Sequence, residues 1–166
     1  MKKCTYFIFF WLFNSIINAQ SVLDKYGDRI ELLGVPFRGP MELCQILIAI
    51  FLSIAFLQSG LDKITDRKGN LEFLKIHFGD SLLLKTIPLM LFILTLLELI
   101  GSLMLGYGIY YAFTSRSTLW IFYGFVVLAI TIIILFAGQR IAKDYLGAAD
   151  LVPYFILIML GIMSMY

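Results

Sequence analysis

The sequence predicts an all-α integral membrane protein: a four-helix bundle preceded by an N-terminal signal-like helix. Three observations carry that reading. Of the 166 residues, 61% are hydrophobic, against about 45–50% in a soluble domain, so a water-exposed globule could not bury them and the solvent must be lipid. Four apolar segments, Met41–Leu61, Thr86–Ala112, Ser117–Ala137 and Ala148–Tyr166, each approach the ~20 residues that cross a hydrocarbon core ~30 Å thick. None of the four alternates apolar and polar residues as a membrane barrel strand does. Backbone groups in lipid must be satisfied within the segment, so the runs are helices.

The first twenty residues, MKKCTYFIFFWLFNSIINAQ, place Lys2 and Lys3 before an apolar stretch from Cys4 to Ile17. That is the layout of a secretory signal cleaved after Ala19, giving residues 1–19 as signal peptide or, because Ile17 is large for its place before the cut, an uncleaved signal anchor. Residues 20–40 are polar and contain Gly27, Gly34, Pro36, Gly39 and Pro40. They read as an exported segment with one helical turn at Val22–Tyr26. Residues 41–166 form the transmembrane domain. Its longest connection, Asp62–Lys85, sets Leu71, Leu74, Ile76 and Phe78 among Glu72, Lys75 and His77, which predicts a short interfacial helix ending near Gly79. The second connection, around Phe113–Arg116, is a tight turn. The third reads GQRIAKDYLG. Pro153 falls early in the last helix, where proline is tolerated.

Composition also excludes functions. The net charge is +2 with the 13 basic residues scattered, so no basic stripe exists to bind nucleic acid. Cys4 and Cys44 lie in different apolar runs with no C-x-x-C, which removes the usual zinc spacings. A single histidine, His77, leaves no bis-histidine haem site. Cys44 reads as an inert thiol facing lipid or core. Trp120, Tyr123, Tyr107, Tyr110 and Tyr111 gather toward the outer ends of the second and third helices as an aromatic belt.

Two groups of polar residues need a reason. Glu98, in LTLLELIGS, lies inside the second helix, where an acid costs ~2.5–3.5 kcal/mol or more unless it faces the bundle and finds partners. Thr95, Gly101 and Ser102 share its face at i−3, i+3 and i+4. The first helix closes with Gln58, Ser59, Asp62, Lys63 and Asp66, in which Gln58, Asp62 and Asp66 form one line with Ser59 and Lys63 beside it. An ordinary helix end with a snorkelling lysine accounts for Lys63 and Arg67 but less well for Gln58 and Ser59. The candidate ligand-binding set is therefore Gln58, Ser59, Lys63, Asp66, Glu98, Lys143 and Asp144. The expected arrangement is a polar network from Glu98 to Gln58, Ser59 or Lys63, extending to Lys143 and Asp144, with a water or ligand head bridging the difference in depth.

The run F-L-x-S-G-x-x-K-x-x-D-x-x-G (Phe56–Gly69), the acid followed by glycine at Glu98, Gly101 and Gly106, and G-x-R-x-A-K-D-Y-x-G-A-x-x-L-x-P-Y-F (Gly138–Phe155) resemble the DoxX family over about residues 43–166. The resemblance implies a multi-pass protein of the bacterial cytoplasmic membrane that serves as the membrane subunit of a quinone-linked sulfur or thiol redox complex. A quinone would then be the ligand, and a redox partner protein would supply electrons. A non-enzymatic scaffold or a small transporter of lipids or metabolites is the alternative. The expected partners are the lipid bilayer, a redox protein and, as an open option, further copies of the chain.

Seven basic residues (Lys63, Arg67, Lys68, Lys75, Lys85, Arg140 and Lys143) share one side and four (Lys25, Arg29, Arg38 and Arg116) the other. The side with seven is expected to be cytoplasmic. With the native cysteines replaced, Asp28→Cys should react with a membrane-impermeant thiol reagent in intact cells, and Asn70→Cys should not; the opposite labelling would invert the topology.

Overall fold

The computed structural model describes residues 30–32, 34–77 and 84–165. The signal-like segment 1–19, the turn at Val22–Tyr26 and Gly79 lie outside the described residues. The chain divides into two units, Met1–Cys44 and Gln45–Tyr166.

In the first unit, β1 (Ile30–Leu32) and β2 (Val35–Phe37) form an antiparallel hairpin with Ile30 opposite Phe37 and Leu32 opposite Val35. The sequence predicts no strand here, since two strands of three residues carry too little alternation to be recognised. The turn is made possible by Gly34, whose φ of 80° is the left-handed conformation that glycine adopts without steric cost. The helix that follows starts with Pro40 in its first turn. The Glu42 carboxylate accepts from the Arg38 backbone N–H at 2.6 Å, satisfying one donor at the helix start.

Five helices are present among the described residues: α1 (Pro40–Thr65), α2 (Arg67–His77), α3 (Ile87–Ser115), α4 (Leu119–Ile141) and α5 (Tyr145–Met163). All but α2 are long and apolar enough to cross a membrane, and they correspond to the four expected spans. The short helix α2 falls in the connection read as interfacial. It exposes Phe73 and Ile76 among Arg67, Lys68 and Lys75.

From Gln45 onward, the helices close into a ring of antiparallel neighbours. Along α1 and α3, Ser53 Oγ donates to the Ser102 carbonyl at 2.9 Å. Along α1 and α5, Gln45 Nε2 donates to the Ser164 carbonyl just beyond α5 at 2.6 Å, and Phe56 meets Tyr154 edge to face, 6.1 Å between centroids. The α4–α5 contact places Gly161 beneath the Phe125 ring, where a Cβ would lie 2.6 Å from Cε2.

The α3–α4 hairpin is the tightest seam. A Cβ on Gly101 would lie 2.5 Å from Leu128 Cδ2, one on Gly124 would lie 2.6 Å from Leu105 Cδ2, and one on Gly108 would lie 2.7 Å from the Ile121 backbone nitrogen. The pairs Gly101–Leu128, Leu105–Gly124 and Gly108–Ile121 step up one helix and down the other in a single antiparallel register, each glycine receiving a large residue of the facing helix. Lipid supplies no hydrophobic drive for helices to associate, so close approach at small residues must provide the attraction. The far end of this hairpin carries the aromatic cluster, with Tyr107 5.3 Å from Trp120 and 6.0 Å from Tyr111 between ring centroids.

Replacing a helical glycine by alanine ordinarily stabilises a helix by about 1 kcal/mol. Gly106→Ala should follow that rule, because its Cβ would meet nothing nearer than Ser53 Oγ at 3.7 Å. Gly108→Ala drives a methyl into the Ile121 backbone and should lower stability by ~1–3 kcal/mol. Thermal unfolding in detergent should separate the two variants with opposite signs.

Candidate functional site

The face of α1 that enters the bundle is set by Ala49, Leu52 and Phe56, all buried. Continued at helical spacing, that face reaches Ser59, Gly60 and Lys63. Gly60 is buried against α3, where a Cβ would lie 2.8 Å from Leu99 Cδ2 and 3.7 Å from Glu98 Cβ. The missing side chain brings the two backbones together one turn before Lys63.

Lys63 then closes directly on Glu98. Its ammonium donates to Glu98 Oε1 at 3.0 Å and Oε2 at 2.9 Å, and to Ser59 Oγ at 2.6 Å. The Glu98 side chain is 1% exposed and that of Lys63 19%. The acid therefore has the partner its burial requires, and Ser59 satisfies the remaining donor of the ammonium. Gly101 and Ser102 on the face of Glu98 are buried with it, as expected; Thr95 is half-buried and bonds its own helix at the Leu91 carbonyl, 2.6 Å away.

The network is narrower than the sequence suggested, and no bridging group is needed. Glu98 lies eleven residues past the start of α3 at Ile87, about 16 Å along the axis, and the long lysine side chain reaches inward from near the end of α1 to meet it. The Gln58–Asp62 line turns the other way: both residues are exposed. Of the three partners expected for Glu98, Lys63 and Ser59 are in the network and Gln58 is not. The line that enters the bundle continues the buried Ala49, Leu52, Phe56 stripe, which the sequence does not distinguish from the equally apolar Leu47, Phe51 and Ile54 that are exposed.

Asp66, Lys143 and Asp144 are also placed elsewhere, for reasons of backbone geometry. Asp66 precedes α2 and accepts from the Gly69 N–H through Oδ1 at 3.1 Å. Asp144 precedes α5 and accepts from the Gly147 N–H at 2.9 Å. The two D-x-x-G stretches are therefore one device used twice, an aspartate N-cap, and a Cβ on either glycine would strike the aspartate carboxylate. Lys143 is exposed with φ of 62°. Its N–H donates to the Arg140 carbonyl at 3.2 Å, and that of Asp144 to the Gln139 carbonyl at 2.9 Å, the paired bonds of a Schellman ending to α4. Arg140 stacks over the Tyr145 ring at 4.6 Å.

The ion pair borders a cavity of about 290 Å³ to which all four long helices contribute. Ser59, Lys63 and Glu98 form its polar side, with Phe56, Leu135 and Tyr154 among the apolar walls. A charged donor, a hydroxyl and a carboxylate in an otherwise greasy chamber suit a small amphipathic molecule with one polar head.

Four membrane-crossing helices closed around a buried lysine–glutamate pair make this a small multi-pass membrane protein. The chain belongs to the DoxX family: the DoxX family model matches residues 45–138, which takes in the Ser59–Gly60–Lys63 face of α1 and Glu98. No curated protein and no solved structure matches the chain.

Lys63→Met would leave the Glu98 carboxylate buried without a counter-charge, and should lower stability by about 3–5 kcal/mol. Glu98→Gln should cost less, because the amide oxygen still accepts from Lys63 and the ammonium can reach solvent. The double variant Lys63→Met/Glu98→Leu should recover most of the loss. Unfolding of the three proteins in one detergent would check the order.

Proposed function

We propose that the protein is a quinone-binding membrane subunit of a sulfur or thiol redox complex in the bacterial cytoplasmic membrane, with Asp62–Lys85 on the cytoplasmic side. The observation that carries the reading is the cavity beside Ser59, Lys63 and Glu98. A quinone carbonyl accepts hydrogen bonds and donates none, and the hydroxyl of Ser59 can turn to it while the Lys63 ammonium stays bonded to Ser59 and Glu98. Phe56 and Tyr154, in edge-to-face contact at 6.1 Å, give the cavity an aromatic wall beside Ser59. Tyr154 is 38% exposed at the perimeter, which gives a tail a way out toward lipid. Reduction of the quinone needs two electrons and two protons. The electrons come from a partner redox protein, and the lysine–glutamate pair is placed to relay protons.

A structural reading has its own support. Lys63 is already engaged by Ser59 and both oxygens of Glu98, as a staple between α1 and α3 would be. Purification of the full chain in mild detergent, with mass spectrometry of extracted quinone, separates the two. The quinone reading expects quinone with the wild type and about a tenfold loss in Ser59→Ala. Equal or absent quinone in both proteins would leave the pair as a staple.

A further inference from the structure

Lys63 also lines a second cavity, a groove of about 230 Å³ between the end of α1, the first residue of α2 and the first half of α3. Ile64, Phe92 and Leu96 along it are exposed apolar residues, so it opens toward lipid. Leu99, which packs on Gly60, stands at its inner end. The Thr95 hydroxyl in its wall donates to the Leu91 carbonyl of its own helix. The Lys63 ammonium is held by Ser59 and both oxygens of Glu98. Arg67 is different. It lines the groove and is exposed, and its guanidinium makes no hydrogen bond or ion pair among the described residues. Asp62 and Asp66 are near it in sequence but form no part of the groove, and the Asp66 carboxylate accepts from the Gly69 N–H at the α2 cap.

We propose that this groove holds an anionic phospholipid, with its phosphate on Arg67 and one acyl chain laid along α3. The solvent around the bundle is lipid, whose tails are as apolar as leucine, so an acyl chain is what fills an apolar groove open to it. The residues decide the head group. Lys63 and Arg67 are the charged side chains of the groove, and Glu98 offsets the first. Arg67 therefore stands as an unmatched positive charge. Its planar fork of N–H donors fits phosphate oxygens two at a time. A phosphate whose charge is not offset by an ammonium in its own head group meets it best.

Depth agrees with this assignment. α1 has 26 residues, about 39 Å at ~1.5 Å each, against ~30 Å of hydrocarbon. Arg67, two residues past the end of α1 at Thr65, thus reaches the level of lipid phosphates. From Leu91 to Leu99 the groove runs about 12 Å along α3, the direction an acyl chain takes from that level into the bilayer. Ser59 and Glu98 line the other chamber and not this groove, so lipid binding here is independent of the quinone reading.

The full chain, stripped of lipid in mild detergent, would be titrated by native mass spectrometry with dioleoylphosphatidylglycerol. Dioleoylphosphatidylcholine serves as the zwitterionic control and glycerol phosphate as a head group without tails. Phosphatidylglycerol should bind more tightly than phosphatidylcholine, and Arg67→Gln should weaken it about fivefold. Lys68→Gln removes the same charge from the next residue, which is exposed and outside the groove, and should leave the affinity unchanged. Excess glycerol phosphate should not displace the lipid. A phosphatidylglycerol with a diazirine midway along one chain should label Phe92, Leu96 or Leu99 of the wild type, which decides the matter should Arg67→Gln fail to fold. Equal binding of the two lipids, equal losses in the two variants, displacement by glycerol phosphate, or labelling confined to residues outside the groove would overturn the assignment.

Discussion

The Glu98 carboxylate sits in the interior of a bundle that is itself immersed in hydrocarbon, and most of the remaining architecture answers to that fact. An acid at such a position costs several kcal/mol unless a counter-charge comes within hydrogen-bonding distance. The counter-charge is Lys63, on a different helix, so α1 must run close beside α3 and in one register. Gly60 permits the approach, the Ser53–Ser102 bond repeats the contact farther along, and Ser59 takes the lysine's third hydrogen. One buried charge thus specifies the position of a helix along its axis and about it, which apolar packing in a lipid solvent does only weakly.

The α3–α4 seam solves the same problem without charge. Its hydrogen-bonding side chains, such as Ser102 and Thr131, bond back to their own helices at Leu99 and Val127, so specificity rests on glycines that receive Leu105, Ile121 and Leu128. Packing of this kind is distributed, and it tolerates small errors at any one contact. The ion pair is concentrated and tolerates none. A bundle that uses shape along one seam and charge along another has two independent determinants of register.

The four spans were legible because twenty apolar residues in a row have few other interpretations. The need for Glu98 to find a partner was legible from the cost of burying it. What could not be read directly was which line of α1 supplies the partner, since Gln58–Asp62 and Ser59–Lys63 are equally polar and differ by about 100° around the helix. The apolar half of the helix could not decide it either, because exposed Leu47, Phe51 and Ile54 are as apolar as buried Ala49, Leu52 and Phe56. The conspicuous run K-D-Y-x-G-A looked chemical and is largely local: Lys143 and Asp144 end one helix and start the next. Aspartate at a cap and aspartate at a binding site look alike in a sequence unless a glycine three residues on is recognised as the donor. The hairpin at Ile30–Phe37 escaped because three-residue strands carry no usable period.

The geometry of the pair also bears on whether the adjoining cavity can receive a polar head while the bundle stays intact. A ligand that had to displace Glu98 from Lys63 would leave the carboxylate without its charge and would undo the α1–α3 contact. That is not required. Ser59 Oγ accepts from the ammonium and its own hydrogen is within reach of Glu98, so a carbonyl head would redirect that one hydrogen and leave both Lys63–Glu98 bonds in place. The adjacent positive charge polarises the hydroxyl, and hydrogen bonds in such a chain strengthen one another. The donor available to a carbonyl head is therefore the serine hydroxyl, with Lys63 and Glu98 beside it on the polar side of the cavity. In that arrangement the feature that holds the helices together need not be broken to make the site work, and one ion pair serves both structure and recognition.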